Sequence, residues 1–133
     1  MTGRLLLAVV TGLMALQGAG AAQQGASGAC RSLEKSDAAL NAAYSKALAK
    51  LGDDSAAVNK LTVAQRNWLK FRDAHVESVF PADDKRAEYG SAFQDCSCAI
   101  VLELTQTRLH QLEAWSVGIP EGDVCIGSRP VKN

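Results

Sequence analysis

Past residue 30 the apolar positions recur every three to four residues, the repeat of a helix that buries one face. Leu33, Asp37, Leu40, Tyr44, Ala47, Leu48 and Leu51 form the first stripe. The spacing predicts a helix from about Arg31 or Ser32 to Leu51, with Gly52 as its stop. A second helix starts near Asp54 or Ser55, either of which can cap it, and ends before Pro81. In this helix Leu61, Ala64, Trp68, Phe71, Arg72, His75 and Val79 share one side, and Arg66, Asn67, Lys70, Asp73 and Glu77 share the other. Residues 81–90, PADDKRAEYG, read as a charged loop. Ser91 and Gln94 then have the spacing of a capping box, which predicts a third helix from about Ala92 to Trp115. Its stripe is Phe93, Cys96, Ile100, Val101, Leu104, Arg108, Leu112 and Trp115. Gly118, Pro120, Gly122, Gly127 and Pro130 make residues 116–133 an irregular tail. No stretch reads as a strand. The expected fold is all-α, a small bundle of three main helices with an irregular C-terminal tail.

Charges on the apolar stripes change this picture. Arg72 points the way the apolar residues point, and a charge so placed is costly unless paired. Asp37 occupies the same anomalous position on the first helix. A guanidinium suits a covered pair because it forks onto a carboxylate and stays charged. Trp68, four residues before Arg72, can lay its ring over the cation. Arg108 is a second stripe cation, with Glu34 or Glu103 as candidate partners. The expectation is a structural clamp of Asp37, Trp68, Arg72 and Arg108 that sets the register of the bundle. The competing reading is an exposed binding groove that uses Arg72 and His75.

The N-terminus has a different character. Arg4 precedes the apolar run LLLAVVTGLMAL, and small residues follow it. This is the pattern of a secretory signal, with Ala19-Gly20-Ala21 as the cleavage site and residues 1–21 as the signal peptide. The run is too short to span a membrane. Ser27-Gly28-Ala29-Cys30 ends like a lipobox, but Ser27 stands where such a motif has leucine. A soluble exported chain, periplasmic or secreted, fits better than a lipoprotein. Residues 22–29 read as a flexible lead, 30–115 as the helical domain, and 116–133 as the tail. The full chain is formally neutral, and loss of Arg4 with the signal leaves it one charge negative. That balance argues against nucleic acid.

All four cysteines, Cys30, Cys96, Cys98 and Cys125, follow the signal, and an even count in an exported domain reads as disulfides. Cys96 and Cys98 point about 200° apart on a helix, so they do not bond each other. Each is expected to take one of Cys30 and Cys125, with the pairing open and the tail attached through Cys125. The same divergence counts against a metal site, and no metal or other cofactor is expected. His75 has no nucleophile or carboxylate pair placed with it, and Ser91 has no base beside it. The chain does not read as an enzyme.

Several of these segments carry a resemblance. Leu40-Asn41-Ala42-Ala43-Tyr44 matches "LN..Y". Leu61 with Ala64-Gln65-Arg66-Asn67-Trp68-Leu69-Lys70-Phe71-Arg72-Asp73-Ala74 matches "L..AQR.WL.FRDA". Gly90-Ser91 with Thr105, Arg108 and Leu112 matches "GS … T..R...L". The chain resembles the LprI-type lysozyme inhibitors, small exported bacterial helical domains, over about residues 30–115. Two family cysteines are replaced here by Val76 and Ile100. The departure suggests a packing contact in their place and a different staple, through Cys98 and Cys125, that attaches the tail. The resemblance implies a protein partner, a lysozyme, blocked by a surface loop. Asp83, Asp84, Lys85, Arg86, Glu88 and Tyr89 are the expected contact residues, because loops are where recognition concentrates. The alternative is a non-enzymatic envelope binding or scaffold module without lysozyme activity.

Overall fold

The computed structural model describes residues 20–132, with side chains from residue 28 onward. Four helices follow in order: α1 (Gly20–Leu51), α2 (Ser55–Val79), α3 (Lys85–Tyr89) and α4 (Phe93–Val117). A 3-10 turn, Gly90–Ala92, leads into α4. Among the described residues there is no strand, only one isolated parallel bridge between Ile119 and Val131. The all-α bundle of three long helices expected from the apolar repeat is the fold observed.

Local chemistry sets the boundaries. Gly52 takes φ +54°, a backbone region that side chains resist, and ends α1. Asp54 starts α2 by accepting the Ala57 N–H at 3.0 Å. Pro81 forbids a continuation, and the Phe80 N–H closes α2 on the Val76 carbonyl at 2.9 Å. α1 and α4 share the largest interface. Their core is Leu40, Ala43 and Ala47 of α1 against Leu112 of α4, with Leu61 from α2. Leu112 is fully buried, which stabilises the fold by about 1.5–3 kcal/mol. The Cys30–Cys98 disulfide joins the same two helices, with Cα atoms 5.0 Å apart. α2 runs antiparallel to α1, since Tyr44 donates to Thr62 at 3.2 Å while Arg72 reaches back to Asp37.

The structure corrects several expectations. α1 begins at Gly20, so residues 22–29 are helical rather than a flexible lead. Alanine and glutamine, strong helix formers, outnumber Gly25 and Gly28 there. Residues 1–19, nearly all of the expected signal, lie outside the described residues. Ser91 falls inside the 3-10 turn, and the α4 N-cap residue Ala92 makes no side-chain cap bond. The inward face of α2 is rotated by about one position. Gln65 is buried, while Ala64, Phe71 and Val79 are exposed, Phe71 at 53 %. On α4 the buried set is Cys98, Thr105 and Leu112, and Cys96 is exposed. α4 packs on α1, also meets α2, and carries apolar residues on most of its faces, so periodicity alone does not choose its stripe.

The second expected staple does not form, for Cys96 and Cys125 are both free and exposed. Cys125 belongs to a tail held at the far end of α4, where Trp115 Nε1 donates to Ser128 Oγ at 3.3 Å. Residues 96 and 115 of one helix are roughly 28 Å apart at 1.5 Å per residue. A disulfide needs Cα atoms within about 7 Å. The tail is closed by backbone bonds instead. Ile119 N–H donates to the Pro130 carbonyl and Lys132 N–H to the Ile119 carbonyl, both at 2.8 Å.

Candidate functional site

The segment between α2 and α4, expected as a loop, is a compact knuckle. Asp84 caps α3 by accepting the Ala87 N–H at 2.9 Å. Three rings brace the turn. Phe80 meets Tyr89 and Phe93 edge-on at 5.1 Å each, the geometry aromatic pairs prefer. The Tyr89 hydroxyl accepts the Ala82 N–H at 3.2 Å. Lys85 Nζ lies 2.7 Å from Glu77 Oε2 and donates to the Ala82 carbonyl at 3.2 Å. The sequence lacked a visible helical repeat here because α3 spans five residues.

These contacts divide the six expected contact residues. Asp84, Lys85 and Tyr89 have local structural partners. Asp83, Arg86 and Glu88 are exposed and enter no ion pair among the described residues. Beside them, α3 and the start of α4 enclose a groove of about 290 Å³. A larger groove of about 340 Å³ runs between α1 and α4, but Lys46 and Glu113 both line it and give it no single charge preference.

The residues expected to form a clamp lie elsewhere. Arg72 Nη1 is 3.3 Å from Asp37 Oδ1, and its Nε is 3.3 Å from Asp73 Oδ1. Its guanidinium sits 5.3 Å from the centroid of the Trp68 ring. The Arg72 side chain is 19 % exposed and that of Asp37 41 %, so water still screens the pair. His75 stacks on Phe71 at 5.7 Å rather than joining Arg72 in a groove.

Arg108 meets neither Glu34 nor Glu103. Its Nε donates to Gln65 Oε1 at 2.9 Å and its Nη1 to Gln111 Oε1 at 3.0 Å. With only neutral partners, burial pushes its pKa down from the ordinary arginine value. Arg108 Nη2 and Thr105 Oγ1 are buried without a protein partner. Periodicity missed Gln65 and Thr105, because polar residues at a core position are invisible to an apolar count. Both stand in the quoted sequence motifs, which was the signal available. Val76 and Ile100, at the two replaced cysteine positions, are half-buried.

Among the described residues no cluster of His, Cys, Asp and Glu has the arrangement of a metal site. No helix there is long and apolar enough to cross a membrane. A family model described as lysozyme inhibitor LprI matches residues 16–112. No curated protein and no solved structure matches.

Proposed function

The chain belongs to the lysozyme inhibitor LprI family, and from that premise we propose that it binds a lysozyme and blocks its cleft with the α3 knuckle. One observation carries the choice of surface. Within the matched span, the knuckle is where a ring-braced turn presents charged side chains that the fold itself does not use. A rigid presenter loses little entropy on docking. In this reading the protein is a binder and not an enzyme, because occlusion of a cleft needs shape and not chemistry. It works in the periplasm or outside the cell, delivered by the signal of residues 1–21. The contacts of Arg72 with Asp37 and Trp68, and of Arg108 with Gln65, serve as interhelical clamps that hold the platform.

The test is turbidimetric. The domain from residue 22 onward, oxidised, is titrated into a chicken-type lysozyme acting on cell-wall substrate. The expected result is concentration-dependent slowing of lysis at or below tens of micromolar, an affinity about −6 kcal/mol or better. Unchanged lysis across that range would remove the inhibitor reading. The alternative, an envelope-binding module without lysozyme activity, draws support from the tail. Residues 118–132 lie outside the family match and expose Val124 at 95 %. A pull-down from envelope extract, run beside one with lysozyme, separates the two.

A further inference from the structure

The groove beside α3 has a one-sided chemistry. Its lining is Lys85, Arg86, Gly90, Ser91, Phe93 and Gln94. No member of that set is acidic, and its polar side chains all include a hydrogen-bond donor. Of the nearby acids, Asp83 and Glu88 are exposed and pair with no cation among the described residues, and neither lines the groove. Glu77 holds Lys85 at 2.7 Å, and Asp84 is occupied with the α3 cap. Glu88 follows Arg86 by two positions and so lies about 200° round the helix. On α4, Asp95 Oδ1 lies 3.8 Å from Cys30 Sγ, toward α1.

Lys85 is already neutralised, which leaves Arg86 as the uncommitted cation of the groove. Its side chain is exposed and makes no hydrogen bond or ion pair among the described residues. Only its backbone carbonyl has a structural duty, as acceptor of the Gly90 N–H. A planar guanidinium on a rigid turn is suited to forked pairing with a carboxylate. Arginine also recurs among the few residues that dominate interface energy.

We propose that this groove is a carboxylate receptor, with Arg86 as its anchor and Ser91 and Gln94 as flanking donors. The proposal rests on the inhibitor reading and specifies its contact. Glycosidases of the lysozyme type work with two carboxylates that flank the scissile bond. A receptor for an acidic side chain, carried on a knuckle, meets one of those catalytic carboxylates when it enters the cleft. Occlusion and electrostatic capture of the catalytic group then coincide. The pairing is partly desolvated once the cleft is filled, which strengthens it relative to a rim contact.

The experiment is a double-mutant cycle read by calorimetric binding. One side is Arg86→Ala, whose fold is checked by its melting curve; the side chain is exposed, so little loss of stability is expected. The other side is a lysozyme with its cleft carboxylates replaced by amides. The wild-type pair is expected to bind, and each single change weakens binding about tenfold. The double change is then little worse than either alone, because both remove the same contact. Arg86→Lys is expected to recover part of the loss, and Arg86→Glu to abolish binding. Wild-type inhibition with Arg86→Ala binding unchanged would overturn the receptor and leave the inhibitor reading standing. Losses that simply add would overturn the catalytic-carboxylate assignment. No binding by the wild type would remove the inhibitor reading and the receptor together.

Discussion

α4 is finished differently at its two ends. At its start the chain arrives through the α3 knuckle, braced by Phe80, Tyr89 and Phe93 and inside the family match. At its finish the chain leaves through residues 118–132, held by two backbone bonds at Ile119 and one Trp115–Ser128 bond, outside the match. The first end spends side-chain packing on rigidity and leaves Asp83, Arg86 and Glu88 to solvent. The second has no such ring cluster and leaves Val124 and Cys125 exposed. A surface meant to block a rigid cleft needs the first kind of end, since a loose presenter loses its docking energy to ordering. A tail hung on backbone bonds is suited to open locally, at low cost, without disturbing the bundle.

The sharpest way to break this contrast is to remove the brace. Phe80→Ala takes away both edge-on contacts and is expected to cost about 2–3 kcal/mol, below the fully buried range because the ring is half-exposed. Denaturant unfolding measures the loss, and lysozyme inhibition should fall with it. Gly118→Ala attacks the other end. Gly118 has φ +89°, and an added Cβ would lie 2.7 Å from the Lys132 backbone nitrogen. The expected cost is about 1–2 kcal/mol, expressed as release of the tail. Trp115 fluorescence should report the release while inhibition stays at the wild-type level. Arg72→Ala tests the frame between the ends. It is expected to lower stability by about 1 kcal/mol through lost contacts with Asp37 and Trp68. Inhibition should persist below the melting transition, and its abolition at unchanged stability would make Arg72 part of the binding surface.

The two ends were also unequally legible in the sequence. Long helices announce themselves by period, so α1, α2 and α4 were visible, as were the stops at Gly52 and Pro81. A five-residue helix such as α3 shows no period, and its Asp84 cap and aromatic brace depend on residues that meet only after folding. The tail departs from its sequence pattern for a related reason. Cysteine parity suggested a staple at Cys125, whereas chain length along α4 keeps that thiol far from Cys96. Within the bundle, the period placed Phe71 inward and overlooked Gln65, because a one-position rotation of α2 is within the width of the stripe. That rotation brings Gln65 to Arg108 and Thr62 to Tyr44. Hydrophobic counting carries no information about such contacts. Of the six contact residues read from the charged run, the structure leaves three uncommitted, a division that required coordinates.

Hydrogen exchange of the domain with and without a chicken-type lysozyme tests the central claim most directly. The account predicts slowed exchange in residues 80–94 on binding, with exchange in residues 118–132 unchanged. Slowed exchange in the tail with none in the α3 knuckle would contradict it.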